Sequence, residues 1–383
     1  MNNKLLLLLL YIGFINFQAY ASCCGGNSMN NDMMFGDQYW NVVASEPFKP
    51  TGKTRYMYIA ADEVIHDYAP LGYNGITGEP YDEVAAEFTE RRADRIGTQF
   101  IKCIYREYTS DSFKTLKERS LNEQYLGYLG PVIRGEIGDT IKITYKNNCK
   151  FPNNIYSRGV FDDKGNLPVQ PGETYNYVWE VAERSGPGLH DGSSVFWKYQ
   201  SNVNVISDLY AGLIGYIVVT KKGWANKDGS PKDIDHEIFW MFSITNENSS
   251  PYIDDNIRKF LPDVTDIPAL KRNAGFTAAN FKYGIDTFIY GNSPMLVLKK
   301  NERCRWYVMS VGGGRDIHTP HWHGNILLID GMHMDVASML PGELIIADMV
   351  PDDVGIWLAH CHLAEHFDDG MITRYQVVDK YKY

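Results

Sequence analysis

His318-Thr319-Pro320-His321-Trp322-His323-Gly324 and His360-Cys361-His362-Leu363-Ala364-Glu365-His366, the latter followed by Asp369-Gly370-Met371, decide how this chain is read. Seven of its ten histidines fall between His318 and His366, so the residue is concentrated rather than scattered. On extended backbone, successive side chains point to opposite faces. His321 and His323 then share one face, and so do His360 and His362. Cys361 must point the other way, and His318, an odd number of positions from His321, joins it. One histidine-rich region is thereby divided into a pocket with sulfur and a pocket of imidazoles alone.

The sulfur side brings together Cys361, His318, His366 and Met371. A thiolate, two imidazoles and a weak axial thioether form the trigonal set that holds blue, or type 1, copper. The spacing Cys-x₄-His-x₄-Met lets a single loop wrap the ion, with His318 reaching in from a neighbouring strand. Zinc would gain nothing from Met371, and the Cys-x₂-Cys pairs it favours are absent. On the other side, His321, His323, His360 and His362 suit a harder, water-accessible copper. Copper is therefore the expected cofactor at both places.

Outward from these packets, the chain divides in two. Gly223 to Asp235 is rich in Gly, Lys, Asp and Pro between apolar strands, as a linker should be. Pro171-Gly172-Glu173 opens a strand in the first half as Pro341-Gly342-Glu343 does in the second, which points to an internal duplication. Short runs such as DTIKITY, TYNYVWEV, CRWYVMS and LIIADMV, separated by turn signals, predict an all-β chain of Greek-key sandwiches or barrels. The 26 tyrosines and 13% aromatic content support strands over helices. Asp82 to Arg92 is the strongest helical segment. The domains are placed at residues 51–222 and 235–383.

At the N-terminus, Lys4, the apolar run from Leu5 to Phe17 and Ala19-Tyr20-Ala21 predict a signal peptide over residues 1–21, cleaved after Ala21. The protein is then secreted or periplasmic. Lipidation at Cys23 is the less favoured variant. Residues 22–50 form a tail whose Cys23, Cys24, Met29, Met33 and Met34 suit Cu(I), or else a leader without structure. No other apolar run approaches about 18 residues, so no integral membrane span is expected. At most one bridge can form among Cys103, Cys149 and Cys304; Cys103 with Cys149 is the preferred pair and buried thiols the alternative. A net charge of −10 leaves no basic stripe for phosphates, which argues against a nucleic-acid partner and for a cationic one.

HTPHWHG and HCHLAEHFDDGM resemble the last domain of multicopper oxidases, specifically the ceruloplasmin and hephaestin group. YLGPVIRGEIGDTIKITYKN, LYAGLIGYIVV, PYIDDNI and GIWLAHCH extend the likeness from about Arg55 to Val378. The resemblance implies two cupredoxin-like domains and a copper-dependent oxidoreductase. His318, Cys361, His366 and Met371 would hold type 1 copper, and His321, His323, His360 and His362 half of a type 2/type 3 site. It also implies a small-molecule, ferrous or cuprous electron donor, with Glu365 as a carboxylate on the donor side. Glu247, Asp254, Asp255 and Asp335 are further candidates for an acidic patch, and Met332-His333-Met334 is read as a loop before a copper-entry site.

The first half departs from that pattern. It carries Tyr156-Ser157-Arg158-Gly159 and Tyr199-Gln200-Ser201-Asn202 where the family places histidine pairs. Duplication sets Asn153, Ser201 and Leu213 opposite His318, Cys361 and Met371. Four-electron reduction of dioxygen is thereby put in doubt. Three readings stay open: an altered oxidase; a homo-oligomer such as a trimer, in which another copy completes the site, with His190 a conceivable extra donor; and a non-enzymatic copper-binding or electron-transfer protein.

Overall fold

A computed structural model describes residues 48–162, 167–312 and 317–381. The leader and nearly all of the Cys/Met-rich tail lie outside the described residues. Among the described residues strands dominate, in four sheets, each drawn from one side of Gly223–Asp235. In the first half, Thr54–Asp67 lies between Gln99–Tyr108 and Thr140–Asn147, and Thr174–Glu180 and Phe161–Asp162 complete five strands. Facing this sheet are Ile133–Glu136, Ile214–Thr220, Ser194–Gln200 and Tyr156–Ser157, in that order.

The second half repeats the plan. His236–Asn246, Cys304–Gly312 and Leu344–Met349 form the middle of a six-stranded sheet. Its companion has the order Leu296–Lys299, Ile372–Val378, Gly355–Cys361, Pro320–Trp322. The repeat holds to the residue: Tyr156 stands across from Gln200 as His321 does from His360, and Trp197 across from Ile217 as Trp357 does from Tyr375. Gly172 and Gly342, in the two Pro-Gly-Glu turns, both take left-handed backbone, with φ of 83° and 86°, where a side chain would be strained.

Helices are short. The one anticipated at Asp82 runs from Glu83 to Thr89, with the Asp82 carboxylate accepting from the Ala85 N–H at 2.9 Å. Others, such as Ile253–Phe260 and Ala364–Asp368, interrupt the connections between strands. They are too short for their apolar period to stand out in the sequence. Gly223–Asp235 is a tied turn, closed by the Asn226 N–H to the Ser230 carbonyl and by the Thr220 hydroxyl to the Gly229 carbonyl.

One hydrophobic core spans both halves, and a second lies between the two sheets of the first half. Phe239 stacks on Tyr307 at 5.0 Å between ring centroids, and Phe196 and Tyr216 of the first half pack edgewise or tilted against that pair. Deeper in the seam, Lys102 and Glu247 form an ion pair at 2.5 Å with both side chains 0% exposed. Tyr68 donates to the same Glu247 oxygen, and the Tyr210 carbonyl accepts from Lys102. Cys103 and Cys149 are bonded across a separation of 46 residues; such a link, by restricting the unfolded chain, contributes about 4 kcal/mol. Cys304 and Cys361 are free and buried.

Candidate metal centre

The edge strand Pro320–Trp322 lies antiparallel to Gly355–Cys361, with Pro320 opposite Cys361 and His321 opposite His360. This register sends Cys361 inward and its two histidine neighbours toward the other face. After Cys361 the chain turns through Ala364–Asp368, which returns His366 to the thiol. Gly370, at φ 113°, then lets the chain reverse against the Tyr290 ring. Met371 follows, its N–H bonded to the His366 carbonyl at 2.8 Å and its carbonyl accepting from the Cys361 N–H. His318 is fixed on the far side by paired backbone bonds to Met339.

Cys361 Sγ stands 3.5 Å from His366 Nδ1 and 4.0 Å from His318 Nδ1. With a metal–sulfur bond of about 2.3 Å and a metal–nitrogen bond of about 2.0 Å, donors sharing one ion lie about 3.5 Å apart. The three form a metal-capable cluster, and Cys361 and Met371 are 0% exposed. The Thr319 N–H points at the sulfur from 3.3 Å. Burial, and then the nearby His366, push His318 down to about 3, so its ring keeps a lone pair for a metal. A soft thiolate, two imidazoles and a buried thioether fit copper.

On the opposite face, His321 Nδ1 and His323 Nε2 approach His360 Nε2 at 3.2 and 3.0 Å. These three form the second metal-capable cluster among the described residues. His362 is exposed and stands farther out, its ring 5.2 Å from that of His321. Burial and the neighbouring rings hold His321 below the ordinary imidazole range, and burial does the same for His360. The face opens on a pocket of about 330 Å³ that also reaches Asn325, Asp335 and Asp352.

Glu365 does belong to an acidic cavity, though with partners other than those anticipated. Glu365, Asp368 and Asp369 line about 380 Å³ together with Asp82 and Val84 from the first half. Burial, then Asp368 and Glu365, push Asp369 up to about 6. Of the four candidate carboxylates, Glu247 is buried against Lys102, Asp254 pairs with Lys271, Asp255 with Lys150, and Asp335 lies 3.7 Å from His321. Sequence distance gives no sign that Asp82 would arrive here; the connection from Tyr68 to Gln99 carries it over the second half. His333 is exposed on the short strand Met332–Met334 and belongs to neither cluster. His190 precedes Ser194–Gln200, at the end of that strand away from Gln200.

In the first half the equivalent pocket is closed by hydrogen bonds. The Ser201 N–H bonds the Leu213 carbonyl as the Cys361 N–H bonds that of Met371. The Ser201 hydroxyl donates to Asp208 at 2.5 Å. Asp208 was missed by the sequence reading. It stands five positions before Leu213, as His366 stands before Met371, and that spacing was the available signal.

The multicopper oxidase profile matches residues 261–380. The ferroxidase HEPHL1 of Mus musculus is 37% identical over 88% of this chain and 30% of its own length. Rattus norvegicus hephaestin is 35% identical over 85% and 29%, and Homo sapiens ceruloplasmin 35% over 84% and 32%. The chain thus spans about 30% of these relatives. Among solved structures, the multicopper oxidase mgLAC superposes with a TM-score of 0.55 at 18% identity, covering 87% of this chain and 88% of its own. A copper nitrite reductase from Nitrosomonas europaea gives 0.54 at 16%, covering 86% and 95%. These two likenesses support the cupredoxin fold.

Proposed function

Because this chain belongs to the multicopper oxidase family, we propose that it is a copper-dependent oxidoreductase that takes single electrons from ferrous ion. Its domains are residues 51–222 and 235–383. The observation that carries the reading is the back-to-back arrangement on one strand. The buried Cys361 thiol faces His318 and His366, while His360, one residue away, meets His321 and His323 on the other face. Copper, when bound, supplies one-electron redox chemistry at both places. His318, Cys361, His366 and Met371 would hold it as a type 1 centre, with His321, His323, His360 and His362 as the second set. The protein's part is to hold His318, His321 and His360 below the ordinary imidazole range by burial, exclude water from the sulfur, and join the two sets by the shortest covalent path, Cys361 to its neighbours.

Glu365, Asp368 and Asp369, with Asp82 opposite, give a cation a place to dock beside His366. Copper-loaded protein is expected to oxidise ferrous ion with oxygen uptake. Replacing Glu365, Asp368 and Asp369 together by amides should raise KM for ferrous ion about tenfold while leaving the blue absorption intact. Steady-state kinetics and a visible spectrum check this, and no turnover in the blue wild-type protein would sink it. In that event the protein is a copper carrier, a reading favoured by Tyr156, Arg158, Gln200 and Asn202 on the first-half face. The disulfide and the N-terminal leader support placing the protein outside the cytoplasm. Among the described residues no helix is long and apolar enough to cross a membrane.

The second set of imidazoles calls for a cover. Ile317 and Ile326, in the segments that carry His318 and His323, and Leu340, next to the His318 partner Met339, are 44%, 58% and 63% exposed, and such apolar exposure marks contact surfaces. A homotrimer in which each copy covers its neighbour's imidazoles would supply that cover. Light scattering should return about three times the mass of one chain; a monomer at micromolar concentration would overturn this.

A further inference from the structure

We infer that Tyr375 and Asn325 are positioning residues of the second imidazole set: they clamp the backbone of His323 so that its ring meets His360. The inference rests on reading that set as a copper site. Tyr375 is 0% exposed, on Ile372–Val378, directly across from Trp357. Its hydroxyl donates to the His323 carbonyl at 2.5 Å and accepts from the Asn325 side-chain amide at 3.0 Å. Asn325, 3% exposed, in turn accepts from the Asp352 N–H at 3.2 Å. Between them Gly324, at φ 76°, lies so close to Trp357 that a Cβ would stand 2.2 Å from the indole. The turn carrying His323 is therefore held at its carbonyl, at its glycine and at the next side chain.

The first half supplies an internal control. By the shared register, Ile217 stands where Tyr375 does, and Val160, following Gly159, stands where Asn325 does. Ile217 is 0% and Val160 3% exposed, so both halves bury these positions equally. The glycine against a tryptophan is also common to both, since a Cβ on Gly159 would meet Trp197 at 2.0 Å. Packing alone is thus satisfied by Ile and Val. The phenol–amide pair occurs in the half with histidines at 321 and 323 and is absent from the half with Tyr156 and Arg158. A buried hydroxyl needs partners, and here it is spent on the ligand's own carbonyl.

The test uses the full-length, copper-loaded protein with Tyr375→Phe, which keeps the ring and removes the hydroxyl. The type 1 electron paramagnetic resonance signal and the blue colour should stay as in wild type. Copper affinity of the second set, measured by chelator competition, should fall about 10- to 100-fold, the usual cost of losing an outer-shell partner. Asn325→Val, which imports the first-half residue, should move affinity in the same direction, and it carries the test if Tyr375→Phe fails to fold. Wild-type affinity and spectra in both variants would overturn the inference. So would parallel loss of both kinds of copper, which would assign Tyr375 to general packing. Wild-type protein binding only type 1 copper would remove the underlying reading of the second set and the inference with it.

Discussion

Cys361→Ser protein, supplied with copper, is expected to be colourless and to oxidise ferrous ion at least 100-fold more slowly than wild type. The charge-transfer colour of a blue centre belongs to the copper–thiolate bond, which a serine hydroxyl cannot replace because it does not ionise at neutral pH and is a hard donor. The loss should exceed that from an outer-shell change, about 10- to 100-fold, because Cys361 is both a donor and the covalent bridge to His360 and His362. The fold should survive: the side chains are nearly isosteric, and Ser201 already occupies the equivalent buried position in the first half. Visible spectroscopy, copper analysis and ferrous oxidation with a thermal melt separate these effects. A blue Cys361→Ser protein would end the assignment.

Lys102→Met should destabilise the protein by about 3–5 kcal/mol, the cost of leaving one charge of a buried pair uncompensated. Glu247 would keep the Tyr68 hydroxyl but lose its only cation at bonding distance among the described residues, and its second oxygen already lacks a hydrogen-bond partner. Removing both charges, with Lys102→Met and Glu247→Leu, should recover most of the loss, because neither desolvation penalty then remains. Urea denaturation of the three proteins measures the difference. A cost below about 1 kcal/mol for the single variant would show that water reaches the seam.

Much of this was legible from the sequence because the decisive region is local. Strand alternation over His318–His323 and His360–His366 orients donors by counting, and the structure places Pro320 against Cys361 and His321 against His360 accordingly. The Pro-Gly-Glu turns gave the duplication. What escaped depends on contacts between distant segments. Glu247 has the composition of a docking carboxylate and is instead the counter-ion of Lys102, across a separation of 145 residues. Asp82 reaches the acidic cavity only through the path of a long connection. Asp208 was readable from its spacing to Leu213, but an aspartate in a helix invites no comparison with a histidine ligand until the register is known. Tyr375 meets His323 and Asn325 only across separations of 52 and 50 residues.

The aromatic seam sets unequal terms for further change in the two halves. The residues that stand opposite the second half's donors answer only to contacts within the first half, Asn153 to Tyr145, Asn147 and the Phe151 carbonyl, and Ser201 to Asp208. Phe196 and Tyr216 have no such freedom, since they form one wall of a room whose other wall, Phe239 and Tyr307, belongs to the neighbouring half. Change at those positions can therefore leave the shape of the first half intact, and that shape is what the half carrying the imidazoles is moulded against.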